Sequence, residues 1–366
     1  MPKIDPFLKI MQDVGASDLH ISAGSAPLVR INGVLDETKH KALTEEEVDI
    51  LLYELLSDSQ IAYFEKKGEI DIAYTLPGVA RFRINIFKKY PGLAAAFRLI
   101  PHTIPNLDGL GFPPVLKELL TKKSGLILVT GAANSGKSTT LAAMIDYLNE
   151  YKNYHIITLE DPLEFIHPNK NCLIHQRQIG EHSNSFANAL RAVLREDPNV
   201  VLVGEMRDNE SISLAVTAAE VGLLVLGTLH TKSAAQTVSR LIDVFPSDQQ
   251  SQMRHTLSEV LICSCSQQLL RRADGKGRIA AIEIMVCNHA ISNLIRESKP
   301  QMMNNSIMTG KKEGMQLMEQ HLKELVEQGI ITVKEAASHT ENPHVFLSCG
   351  KETHSSHDTM SKGRLV

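Results

Sequence analysis

One stretch of this chain confines its fold more than any other. An apolar run, Gly125–Thr130, leads into Gly131-Ala132-Ala133-Asn134-Ser135-Gly136-Lys137-Ser138, and a helical pattern follows over Lys137–Leu148. The octet fits G-x-x-x-x-G-K-[ST], the phosphate-binding loop between a buried strand and a helix. The chemistry explains the residue types. Glycines allow a tight turn, and N–H groups of the loop and the helix start then point at phosphate oxygens. Lys137 is placed for the β- and γ-phosphates, and the Ser138 hydroxyl for Mg²⁺. Gly131, Ala132, Ala133, Asn134, Ser135, Gly136, Lys137 and Ser138, with Thr139 beside them, are the candidate ATP ligands. A loop of this kind belongs in a parallel α/β sheet, so strands and helices should alternate around it.

They do alternate. His155–Leu159, Asn199–Val203 and Leu223–Leu229 read as buried strands, Phe186–Leu194 and Glu210–Val221 as helices; helices alone are expected from about Ala234. Hydrolysis also needs a carboxylate near the γ-phosphate. Asn199–Val203 ends in Gly204-Glu205, which makes Glu205 the candidate general base and water-mediated Mg²⁺ contact. Glu160, Asp161 and Glu164 follow another strand, on the edge where open α/β sheets bind ligands. The bland reading of these acids is a solvated strand end and a polar turn about Pro162. His230 closes the strand Leu223–Leu229 and is a candidate γ-phosphate sensor, although a lone strand-end histidine is more often structural.

Residues 1–100 read differently. Phe7–Val14 looks helical, and Asp18–Ser22 and Pro27–Gly33 alternate in the strand manner. Thr44-Glu45-Glu46-Glu47 is a capping box, and further strands are expected near Glu69–Tyr74, Val79–Lys88 and Leu93–Leu99. This is an α+β domain. Residues 101–114 are dense in Pro and Gly and form the expected interdomain linker. The ATPase domain spans 115–338, and a polar tail, 339–366, is expected to be disordered.

Composition excludes several classes. The chain has 366 residues and a formal net charge of −4, without tryptophan. No basic, aromatic-bearing path suits nucleic acid. No apolar run is long enough to cross a membrane. The five cysteines include no C-x-x-C pair, so neither a zinc site nor a redox motif is indicated. With no secretory signal, a cytoplasmic location is expected.

The ordered segments GAANSGKSTT, EDPLEF, FANALRAVLREDPNVVLVGEMRDNESI, AVTAAEVG, GTLHTKSA, RLIDVFP and AISNLIRE resemble those of the type IV pilus retraction ATPases (PilT), within the type II/IV secretion ATPase superfamily. The resemblance runs from about residue 13 to about 335. It implies a homohexamer whose subunits pair a PAS-like N-terminal domain with a RecA-like ATPase domain, acting at the inner membrane on a pilus platform protein. It matches residues 160–164 to the Asp box, 203–205 to the Walker B element and 227–231 to the second half of the His box. It also implies that arginines of the first domain, Arg81 and Arg98 (with Arg83 on a matching strand), serve ATP across a subunit interface. Ala290–Glu297 is similar to the signature that the family links to retraction.

Three positions depart from the family pattern: Asn134 for glycine, Leu223 for the first His of the His box, and Ser292 for arginine. They raise the alternative of an accessory or modified paralogue. A RecA-like nucleic-acid translocase and a non-hydrolysing nucleotide-binding regulator are the rivals from other classes.

Overall fold

Alternation of apolar and polar residues builds the first sheet. In the segment Ala80–Lys88, Phe82, Ile84 and Ile86 are buried while Arg81, Arg83 and Asn85 between them are partly exposed, as a period of two requires. A computed structural model describes residues 2–31, 33–100, 103–340 and 342–349. It divides into two compact units. The first holds residues up to Ile104 together with Glu160–His167 and Gln176–Ile179, and the second holds the rest.

The first unit contains β1 (Asp18–Ser22), β2 (Leu28–Ile31), β3 (Val34–Glu37), β4 (Glu69–Leu76), β5 (Ala80–Lys88) and β6 (Leu93–Ile100) in the order β3-β2-β1-β6-β5-β4. All its pairings are antiparallel. Helices Asp5–Asp13, Glu45–Tyr53 and Asp58–Lys67 bury Leu8, Met11, Val48, Leu52 and Phe64 in one core with Phe82 and Phe97. Each fully buried Phe contributes about 1.5–3 kcal/mol by area. The capping box at Thr44 forms as its spelling indicates: Thr44 Oγ1 accepts from Glu47 N, and Glu47 accepts from Thr44 N.

The second unit contains β7 (Gly125–Thr130), β8 (His155–Glu160), β9 (Leu173–Gln178), β10 (Val200–Val203), β11 (Leu224–Leu229), β12 (Leu261–Arg271) and β13 (Arg278–Val286), in the order β13-β12-β7-β11-β10-β8-β9. The strands β12, β7, β11, β10 and β8 run parallel, and β13 is antiparallel to β12. The ends of β8 and β9 cross the division of the chain, after Leu159 and after His175. β7 lies centrally and is buried at every residue, with the helix Lys137–Tyr151 packed on the sheet through Leu141, Met144 and Ile145.

Two expectations need correction. Helices do not take over after Ala234: the helices Ala234–Asp243 and Ser247–Val260 are followed by the long hairpin β12–β13. β12 reads Leu-Ile-Cys-Ser-Cys-Ser-Gln-Gln-Leu-Leu-Arg, and its buried positions are largely Cys, Ser and Gln. The strand is covered on both faces, so it shows no apolar alternation to read. Nor is the tail without structure from 339. A short helix, His344–Cys349, begins it, and Phe346 is buried with Leu322, Ile331 and Ala336. Residues 350–366, like 101 and 102 of the expected linker, lie outside the described residues. From Pro105 onward that segment belongs to the second unit, and Leu107 is buried in its core beside Leu116 and Leu120.

Candidate functional site

The loop after β7 is built to face an anion. Helices Phe186–Val193, Asn209–Glu220, Ala234–Asp243 and His289–Arg296 each start with a side-chain cap, from Ser185, Asp208, Ser233 and Asn288. The helix Lys137–Tyr151 has none: its N-cap is Gly136 in the left-handed region (φ 91). Its first N–H groups carry the positive end of the helix dipole and are left to a ligand. Within the loop Ser135 Oγ is buried and has no hydrogen-bond partner in the protein. Asn134 sits at φ 64, so the departure from glycine is absorbed by the side chain that best tolerates this backbone. An uncapped helix start and an orphaned buried hydroxyl are what a phosphate group satisfies.

Around this loop the C-terminal ends of β10 and β11 bring three further groups together. Lys137 Nζ donates to the carbonyls of Gly131 and Ala132 at 2.9 Å and stands 3.5 Å from His230 Nδ1. His230 Nε2 lies 3.0 Å from Glu205 Oε1. Arg207 closes the arc, 2.7 Å from Glu205 Oε2. The histidine therefore stands between loop lysine and acid, with Nδ1 toward Lys137 and Nε2 toward Glu205. Burial pushes the Glu205 carboxyl up, but the Arg207 guanidinium, helped by His230 and Lys137, pulls it further down. The net result lies below the usual carboxylate range, so this acid is ionised at neutral pH and able to accept a proton. The strand ends themselves are tied: Thr228 Oγ1 donates to the Gly204 carbonyl, and Met206 N to the Thr228 carbonyl.

The remaining candidates fall in the first unit. Glu160, at the end of β8, accepts from Gln176 Nε2 at 3.3 Å. Leu163 in the same acidic segment offers its carbonyl to Arg81 Nε at 3.2 Å, and Glu164 Oε1 lies 3.8 Å from Arg83. Asp161 precedes Pro162 through a cis peptide bond. The acidic segment thus joins the arginine strands β5 and β6 in one compact unit. Arg98 is paired with Asp18, its cross-strand neighbour, at 2.9 Å. Leu223 stands at the other end of β11 from His230, immediately before Leu224. The six extended residues of β11 separate them by roughly 20 Å, so that substitution leaves the Lys137–His230–Glu205 arc untouched.

Arg207 was not singled out from the sequence, although its spacing of two from Glu205 places both on one side of an extended chain. Gln267 carried no sequence signal at all, although its amide bonds to the loop.

The chain matches the model of the type II/IV secretion system protein family over residues 2–338. The type IV pilus retraction ATPase PilT of Pseudomonas aeruginosa is 47% identical over 343 residues, covering 94% of this chain and 99% of that protein. The type IV pilus ATPase PilU of the same organism is 35% identical over 358 residues, covering 97% and 94%. A crystal structure of the pilus retraction motor PilT with bound ADP superposes with a TM-score of 0.83 at 44% identity, covering 92% of this chain and 98% of that one.

Proposed function

Because the chain belongs to the type II/IV secretion system protein family, we propose that it is a homohexameric motor that hydrolyses ATP to power type IV pilus retraction. It is an ATP hydrolase, and the observation that carries the site is the arc Lys137–His230–Glu205–Arg207 beside an uncapped helix start. The loop N–H groups and Ser135 Oγ bind the phosphates. Lys137 leaves the Gly131 and Ala132 carbonyls for the γ-phosphate, which lies on the His230 side of the loop. Ser138 and, through water, Glu205 would hold Mg²⁺, which would neutralise phosphate charge. Glu205 orients the attacking water and takes its proton. His230 connects acid and lysine, so loss of the γ-phosphate is felt at the end of β11.

Glu160, Asp161 and Glu164 act with the first unit, and Arg81 and Arg98 reach the nucleotide of a neighbouring subunit. Domain motion around bound nucleotide then passes to an inner-membrane platform protein. The second reading is an accessory role, favoured by Ser292, where the family signature has arginine. Greater identity to PilT than to PilU (47% against 35%) supports the motor.

The experiment is complementation of a clean deletion in the bacterium of origin. We expect loss of twitching and retained surface pili, restored by the wild-type gene and not by Lys137→Ala. Normal twitching in the deletion strain refutes the main-motor reading. Wild-type phosphate release by purified Lys137→Ala refutes the site.

A further inference from the structure

Gln267 is 1% exposed and lies on β12, far from the nucleotide loop in sequence. Its face of the strand also carries Cys263 and Cys265, which pack with Leu141, Met144 and Ile145 of the helix after the loop. Both ends of its amide are used. Nε2 donates to the Ser135 carbonyl at 2.6 Å, and Oε1 accepts from Thr140 Oγ1 at 2.9 Å. A carbonyl can only accept, so the amide orientation is settled by its partners. Both motif glycines also abut this residue. A Cβ at Gly131 would lie 2.3 Å from the Gln267 carbonyl oxygen, and one at Gly136 would lie 3.0 Å from Gln267 Nε2.

We propose that Gln267 is a positioning residue that aims the Ser135–Gly136 peptide of the phosphate loop. In a planar trans peptide the carbonyl and the following N–H point in opposite directions. Holding the Ser135 carbonyl down toward β12 therefore turns the Gly136 N–H up, toward the space above the loop. The second bond, from Thr140, fixes the same amide to the first turn of the helix, where Thr140 N donates to the Gly136 carbonyl. One side chain thus locks the loop to its helix before nucleotide arrives. The loop pays less ordering cost on binding, and the contribution falls on affinity rather than on the chemical step.

The inference rests on the nucleotide assignment of the loop, and the test separates the two. Purified full-length wild type, Gln267→Met, Thr140→Val, Thr140→Ser and Lys137→Ala are titrated with ADP by calorimetry and assayed for ATP turnover, with melting curves of each. We expect Gln267→Met to raise the ADP Kd and the ATP KM about tenfold, equivalent to about 1.4 kcal/mol, with kcat changed far less. Thr140→Val should weaken ADP by about threefold, and Thr140→Ser, which keeps the hydroxyl, should recover it. A Gln267→Met protein that melts like wild type and binds ADP equally well overturns the inference. If that variant does not fold, equal ADP affinity of the Val and Ser variants overturns it instead. Wild-type ADP binding and turnover by Lys137→Ala would sink the loop assignment itself, a distinct outcome.

Discussion

Gly131→Ala tests how closely the loop is fitted to the strand beneath it. The new Cβ would sit 2.3 Å from the Gln267 carbonyl oxygen and 2.5 Å from Ser135 Oγ. Non-bonded carbon and oxygen need about 3.3 Å, so something must move by roughly 1 Å. β12 cannot yield easily, because it is paired on both sides, to β7 and β13. The loop must move instead. Gly131 also sits at φ 143, where a side chain adds strain of about 1–3 kcal/mol. Displacing binding groups by about 1 Å costs about 10²-fold in turnover, equivalent to about 2.7 kcal/mol. The assay is steady-state phosphate release across ATP concentrations, with melting curves alongside. Gly277→Ala is the control, since Gly277 also has a positive φ (86) but a Cβ there would meet nothing within 4 Å. It should lower Tm by a few degrees, at about 2–4 °C per kcal/mol, and leave KM and kcat alone. Turnover by Gly131→Ala within fivefold of wild type, or an equal loss in Gly277→Ala, would refute the argument.

Glu205→Gln keeps the shape of the acid but not its charge, and turnover should fall by about 10²–10⁴ while ADP binding persists in calorimetry; an unchanged rate removes Glu205 as base. Asn134→Gly exchanges relief of the left-handed backbone (φ 64) for a more flexible unfolded chain, terms of about 1 kcal/mol each. Its Tm and KM should therefore match wild type, and a tenfold change in KM would show that the asparagine side chain contacts nucleotide. Glu283 is buried and accepts from Ala234 N at 2.8 Å and Met318 N at 3.4 Å. Burial nevertheless raises its carboxyl above the ordinary 4.5. A raised folded-state value gives stability that is complete below the unfolded pKa and is lost as pH rises through the folded one. Glu283→Gln has no such proton, so its Tm relative to wild type should climb as pH rises from 4.5; a pH-independent difference contradicts this.

Much of the site was readable because it is local. The phosphate loop is eight adjacent residues whose glycines, lysine and serine act mostly through their own backbone, so a linear pattern specifies it. Asn134 illustrates the same point: it stands where the family pattern has glycine, and asparagine tolerates the left-handed φ that the loop adopts. Glu205 and His230 were found because each ends a buried strand, and parallel strands deliver their C-terminal ends to one edge. Their contact at 3.0 Å was not readable, because it depends on β10 and β11 being neighbours, a matter of strand order. The acidic segment 160–164 shows the limit from the other side. Sequence placed it at a strand end, but tertiary packing associates it with β5 and its arginines. Leu223 shows the limit again: the sequence marked it as a departure near a sensor, and the strand length set it roughly 20 Å away from His230.

What the amino-acid order determined alone, then, is the identity of the phosphate-binding segment, the alternation that surrounds it and the acids available to it. These follow from steric rules and periodicities that act over a few residues. Tertiary structure decided which of those groups meet. It set β12 beneath the loop, where Gln267 bonds to Ser135 and Thr140. A buried polar strand of Cys, Ser and Gln has no periodic signature, because its partners come from elsewhere in the chain and only packing assigns them.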